Sequence, residues 1–221
     1  MQRAPWAAGL LFGLSLAVVV TLAGPLLLFN PPFVWALQDR HDVAERSFAG
    51  RHDAVDSVTL TTLVDIWTDG AFDAELASGE PLLNERERSH MHDVAVLVRI
   101  LAGVLIMALV IGGVALAWLR REPRRVGRIM FVVGGAIGGV AILLAGIFAV
   151  AFEPAFLAFH ELFFPPGTYL FEPGSKLIAL FPEGFWFDAA LAAGATVVIA
   201  ALLVTLVGFR LWRREPPPAS A

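Results

Sequence analysis

The sequence predicts an all-α membrane protein: a four-helix transmembrane bundle with extracytoplasmic amphipathic and aromatic segments. Three observations predict it. Of 221 residues, 57% are hydrophobic and the mean hydropathy is +0.72, whereas a soluble domain is roughly 45–50% apolar. Four apolar stretches each reach the ~20 residues that cross a bilayer as a helix. Arginines crowd some connections and acids others, which sorts the connections by side of the membrane. Length allows one or two domains; the apolar content favours a single integral membrane domain over residues 1–221.

The first stretch runs from Ala7 to Phe29. It exceeds the ~7–15 residues of a signal-peptide core and no clean A-x-A site follows, so it reads as a retained helix. Pro25 kinks its end without preventing insertion. The connection from Asn30 to Asp93 is acidic, with Asp39, Asp42, Asp53, Asp56, Asp65, Asp69 and Asp73 against Arg40, Arg46, Arg51, Arg86 and Arg88. That balance argues against binding nucleic acid or anionic headgroups. Within it Val58, Leu60, Leu63, Val64 and Trp67 recur at helical spacing, as in an amphipathic helix lying on a membrane surface.

The second span is Val94 to Leu119 and the third Ile129 to Phe152. Between them lie Arg120, Arg121, Arg124, Arg125 and Arg128. Arg3 lies near the N-terminus, and Arg210, Arg213 and Arg214 close the fourth span, Phe187 to Leu211. The positive-inside rule puts all three basic regions in the cytoplasm. An even number of crossings then returns both termini to that side and leaves the other two connections outside. Gly134-Gly135 and Gly138-Gly139 allow close helix contact, read as packing within the bundle in preference to a dimer interface. The connection from Glu153 to Trp186 is crowded with Phe156, Phe159, Phe163, Phe164, Tyr169, Phe171, Pro173, Phe181 and Trp186. It is too apolar to float in water and too broken to span, so it lies in the interface or dips back into the membrane.

There is no cysteine. Disulfides, thiolate metal sites and cysteine nucleophiles are excluded. No phosphate-cradling loop, G-x-S-x-G elbow or H-E-x-x-H pair occurs. The candidate chemistry lies in two histidine-bearing stretches, both placed on the extracytoplasmic face. In Glu87-Arg88-Ser89-His90-Met91-His92-Asp93-Val94, the acids also suit a polar helix start, where the macrodipole favours negative charge. Arg99 lies about two turns further on, on the face of His92. It either snorkels to the headgroups or lines a polar cavity and pairs with Asp93 or a substrate oxygen. In Phe159-His160-Glu161-Leu162-Phe163-Phe164, a neutral imidazole among aromatics can accept a proton as a general base. His90, His92, His160 and Asp93 could instead ligate zinc, but H-x-H is common by chance and lacks the helical i, i+4 pair. His41 and His52 have no obvious partners, and solvent exposure is their expected state.

These two stretches, with Leu180-Phe181-Pro182-Glu183-Gly184-Phe185-Trp186 and four spans, resemble the bacterial lipoprotein intramolecular transacylase (Lit) family of integral membrane proteins. The resemblance implies a bacterial cell-membrane enzyme that acts on diacylated lipoproteins among membrane lipids. It moves the sn-2 acyl chain of the diacylglyceryl group to the N-terminal cysteine amine and leaves a lyso-form lipoprotein. It also implies His90 and His160 as the catalytic pair, with His92 in a variable position. Ala95 departs from the basic or polar residue expected there. Ester-to-amide conversion needs no cofactor and no metal; it needs orientation, a base and a proton donor. Carried over in this way, His160 is the base and His90 the second acid/base or oxyanion-stabilising group, oriented by Asp93; the two roles can be exchanged. Arg99, Tyr169 and Glu183 are candidates for shaping the site. The alternatives are a non-catalytic membrane protein that binds lipid or a partner through its aromatic segment, and a metal-dependent membrane hydrolase. Histidines sharing one substrate must lie within about 3–7 Å.

Overall fold

The computed structural model describes residues 5–68, 70–76, 79–172 and 174–213. Arg3, Asp69, Pro173 and Arg214 lie outside these residues. Four helices are long and apolar enough to cross a membrane: α1 (Trp6–Leu27), α5 (Glu85–Leu119), α6 (Pro123–Val150) and α9 (Glu183–Trp212). The first connection folds as α2 (Pro31–Arg40), α3 (Val43–Ser47) and α4 (His52–Trp67), and the second as α7 (Phe152–Phe163) and α8 (Lys176–Leu180). An isolated antiparallel bridge joins Glu75 and Pro81.

The helix starts follow local chemistry. Asn30 caps α2 by accepting the Phe33 N–H (3.1 Å), with Pro31 at the first helical position, where its missing N–H costs nothing. Pro123 does the same for α6, so that helix takes in Arg124, Arg125 and Arg128 of the basic linker. α5 begins well before the apolar run at Val94. Asn84 Oδ1 accepts the Glu87 N–H (3.0 Å) and Glu87 Oε2 accepts the Asn84 N–H (2.8 Å). This reciprocal capping box makes the whole polar motif helical.

The chain divides into two compact units. One holds residues 1–25, 103–144 and 194–221. Its core is Ala8, Phe12, Ala115, Leu119 and Val126, with Leu16, Ile129 and Met130 packed against it. Here α6 and α9 touch backbone to backbone. A Cβ on Gly127 would meet Gly208 O at 2.8 Å, and one on Gly134 would meet Ala201 O at 2.9 Å. Gly138 faces Ala201, whereas Gly135 and Gly139 face open space. The helices turn Leu10, Leu14, Ile106, Leu109, Val132, Leu202 and Leu203 outward. Apolar side chains on nearly every face require a hydrocarbon solvent.

The other unit holds residues 26–102 and 145–193. Gln38, 2% exposed, ties three of its helices. Its side-chain N–H donates to Leu180 O (3.2 Å), and its carbonyl accepts the Thr59 hydroxyl (3.1 Å). α4 buries Val55, Val58, Thr59, Thr62, Leu63 and Ile66. Leu60, Val64 and Trp67 form an exposed apolar stripe on the opposite face. The Trp67 indole N–H donates to Phe29 O (3.2 Å), just past the end of α1.

His41 and His52 do not stand alone in solvent as the sequence led us to expect. His41 Nε2 lies 3.0 Å from Asp188 Oδ2, and Arg40 Nε 3.1 Å from the same oxygen. Gly184 makes room for this ring, since a Cβ there would lie 2.7 Å from His41 Cε1. His52 is exposed but bonds Glu45 (2.7 Å) and approaches Asp39 (3.5 Å). Asp188 is 147 positions from His41, and Glu45 reaches His52 across the break between α3 and α4, so neither pairing follows a helical spacing.

Candidate active site

His90 and His160 come together in the second unit. His90 lies in the second turn of α5 and is 6% exposed. His160 lies near the end of α7, whose i, i+4 geometry brings its Nδ1 to 2.8 Å from the Phe156 carbonyl. The two imidazoles stack with centroids 5.9 Å apart and planes 24° apart. Aromatic rings enclose them. Phe164 lies 4.8 Å and Phe171 5.5 Å from His90, while Phe156 lies 4.2 Å and Tyr169 5.2 Å from His160.

The hydrogen bonding of the two rings differs. A carbonyl oxygen only accepts, so His160 Nδ1 carries the proton and a neutral ring keeps its Nε2 lone pair for other use. His90 Nδ1 is buried without a hydrogen-bond partner. Leaving such an atom unpaired costs about 1–3 kcal/mol, a cost relieved when a bound molecule supplies the partner. Rings on several sides exclude water, so each polar contact made here is stronger than it would be in solvent.

The first turn of α5 holds the frame. The Arg86 guanidinium donates to Gly167 O (2.9 Å) and Leu170 O (3.0 Å), pinning the turn that carries Tyr169. Glu87, 1% exposed, accepts the Ser175 hydroxyl and the Leu177 N–H (3.3 Å). It thereby fixes the start of α8 to α5, one turn before His90.

The other predicted residues are distributed differently. Tyr169 joins the box. His92 is exposed and turns to Phe72 (5.2 Å), away from the pair. Asp93 is half-buried and makes no hydrogen bond to His90, so the expected orienting bond is absent. Arg99 is half-buried further along α5. Glu183 is exposed in the first turn of α9 and bonds neither histidine. Ala95 is fully buried, which leaves no room for the polar residue expected there. Among the described residues no three His, Asp or Glu side chains converge as metal ligands. Arg86, Ser175, Phe164 and Phe171 were not singled out as site residues. Only Glu87 carried a readable signal, the N-x-x-E capping pattern.

Residues 10–186 match the model of the family described as lipoprotein intramolecular transacylase Lit. An uncharacterized protein of Aquifex aeolicus (strain VF5) is 28% identical over 138 residues, 61% of this chain and 60% of that protein. The match to this curated relative thus spans about 60% of its length. The structure of the membrane integral lipoprotein intramolecular transacylase Lit from Bacillus cereus superposes with a TM-score of 0.81 at 17% identity, covering 93% of this chain and 94% of that one. A variant of the same protein with one histidine replaced gives 0.74 at 16% identity, covering 93% and 92%. At these identities the structural likeness speaks for the fold alone.

Proposed function

This chain belongs to the lipoprotein intramolecular transacylase (Lit) family, and on that premise we propose that it transfers an acyl chain from oxygen to nitrogen within diacylated lipoproteins. The sn-2 acyl group of the diacylglyceryl-cysteine moves to the cysteine α-amine, and the product is a lyso-form lipoprotein. One observation carries the residue assignment: two imidazoles stacked 5.9 Å apart in an aromatic box, one with a committed Nδ1 and the other with an unpaired one.

The reaction balances without water or cofactor. The α-amine, of pKa about 8, is partly neutral near pH 7. Its nitrogen attacks the ester carbonyl carbon and forms a tetrahedral oxyanion. His160 Nε2 accepts the proton that the nitrogen loses. His90 donates a hydrogen bond to the oxyanion or to the departing sn-2 oxygen. The C–O bond breaks, the glycerol oxygen takes up a proton, and an amide remains. Tyr169 and Phe171 wall the site and hold the glycerol between the rings.

The arginines between α5 and α6, and those at the end of α9, support a topology with both termini cytoplasmic. The histidine pair then faces the extracytoplasmic side, where lipidated N-termini reside, and membrane lipids surround the four spans.

The test is mass spectrometry of lipoprotein N-termini from cells expressing the wild type, His90→Ala or His160→Ala. The wild type should yield N-acylated, S-monoacylglyceryl cysteine, and each variant should lose about 10²–10⁴-fold of the rate. Absence of that product from wild-type cells would falsify the assignment.

A further inference from the structure

Resting on the acyl-transfer reading, we propose that the cavity on the loop side of His90 binds the polypeptide that follows the substrate cysteine. The cavity measures about 510 Å³, within the ~300–1,000 Å³ typical of ligand sites. One wall is residues 81–84 and the first turn of α5, including Arg88; the other includes Phe171, Glu172, Gly174 and Lys176. Phe171 is common to both places: it lines the cavity, and its ring lies 5.5 Å from His90. The lining residues all precede the apolar run of α5 or belong to the second connection.

The substrate has two arms that require opposite solvents. Its acyl chains stay with the lipid, and the chain after the cysteine must leave toward water. With the α-amine at the histidine pair, the next residues pass Phe171 and enter this cavity, which has room for a short peptide. The lining chemistry suits that occupant. Arg88 and Lys176 line the space together with Glu172, while Arg86 is already committed to two carbonyls and Glu87 to its three donors. Mixed charge accommodates amide groups and varied side chains, whereas a phosphate headgroup would meet the Glu172 carboxylate. The Glu87 ties to Ser175 and Leu177 join the two walls, so the cavity is formed before substrate arrives and little ordering cost remains.

The experiment uses the full chain in phosphatidylcholine nanodiscs. Two synthetic substrates share the diacylglyceryl-cysteine: one ends there as an amide, and the other continues for several polar residues. Turnover is read by mass spectrometry. For wild type, KM for the longer substrate should be about tenfold lower, equal to one 1.4 kcal/mol step. In the Arg88→Ala, Lys176→Ala double variant, that KM ratio should fall toward unity. Equal KM values in wild type, or a ratio that survives in the variant, would overturn the proposal. A defect seen only when anionic lipid is added would also overturn it and assign the cavity to headgroups. Failure of wild type to turn over either substrate is a separate outcome: it removes the acyl-transfer reading, and the peptide site with it.

Discussion

Replacing Glu87 should open the wall of the site without touching either histidine. The carboxylate is buried and accepts the Ser175 hydroxyl, the Leu177 N–H and the Asn84 N–H. In Glu87→Gln, shape is retained and charge is lost. Each bond falls from the charged class, about 1.5–3 kcal/mol, to the neutral class, about 0.5–1.5. The amide also turns an N–H toward one of the three donors. Summed over the two bonds to the α8 segment and the one within the α5 cap, the loss is about 3 kcal/mol, equivalent to roughly 100-fold in the equilibrium for local opening. The assay is amide hydrogen exchange. Leu177 and Asn84 should exchange about 100-fold faster in Glu87→Gln, while amides in the middle of α6 keep wild-type rates. Turnover should fall with it, because the wall that runs from Phe171 to α8 loses its tie to α5 at Ser175 and Leu177. Leu177 exchange within threefold of wild type would refute the reasoning, whatever happens to activity.

Gly134→Leu should cost more than about 3 kcal/mol, because its Cβ alone overlaps Ala201 O and Thr205 N on α9. Gly135→Leu faces open space and should be tolerated; folded yield and thermal unfolding in detergent separate the two. Asp188→Asn removes the charge that holds both Arg40 and His41 and should cost about 1.5–3 kcal/mol, read as earlier unfolding of the second unit by hydrogen exchange. The hydrogen bond to Glu45, with its charge and that of Asp39, raises the His52 pKa above the ordinary imidazole value. That tie is complete below the ordinary value and is lost as pH rises through the raised one. Histidine NMR titration should show His52 shifting back down in Glu45→Gln; an unmoved titration would contradict the pairing.

The fold was legible wherever one residue class dominates a long window. Four apolar runs became four spans, because crossing hydrocarbon forces every backbone group into a helix. The boundaries were less legible. α5 starts at Glu85 and not at Val94 because the helix is begun by a capping box and not by hydropathy. The α4 pattern mixed two faces: Val58 and Leu63 point inward, while Leu60, Val64 and Trp67 point outward. Contacts between distant segments left no periodic trace. Asp188 with His41, Arg86 with Gly167, and Glu87 with Ser175 each join residues about eighty or more positions apart. Hence the two histidines could be named from motifs, but the residues that hold their walls could not.

The position of the pair along α5 bears on the chemistry. His90 precedes the apolar run at Val94 by one helical turn, about 6 Å at 1.5 Å per residue. A bilayer has a hydrocarbon core of about 30 Å within about 40–45 Å overall, so each interfacial layer is about 5–8 Å thick. An imidazole one turn outside the apolar run therefore fits the depth that the proposed acyl transfer requires, that of glycerol ester carbonyls. His160 suits the same depth by another route. α7 has 12 residues, about 18 Å, which is too short to cross, and its exposed Phe159, Leu162 and Phe163 suit an interfacial position. A histidine deeper in α5 would face acyl tails, and one further out would face water that competes with the amine for the ester. For the proposed reaction such a depth would favour transfer to nitrogen over hydrolysis, in keeping with the rings of Phe164 and Phe171 beside His90.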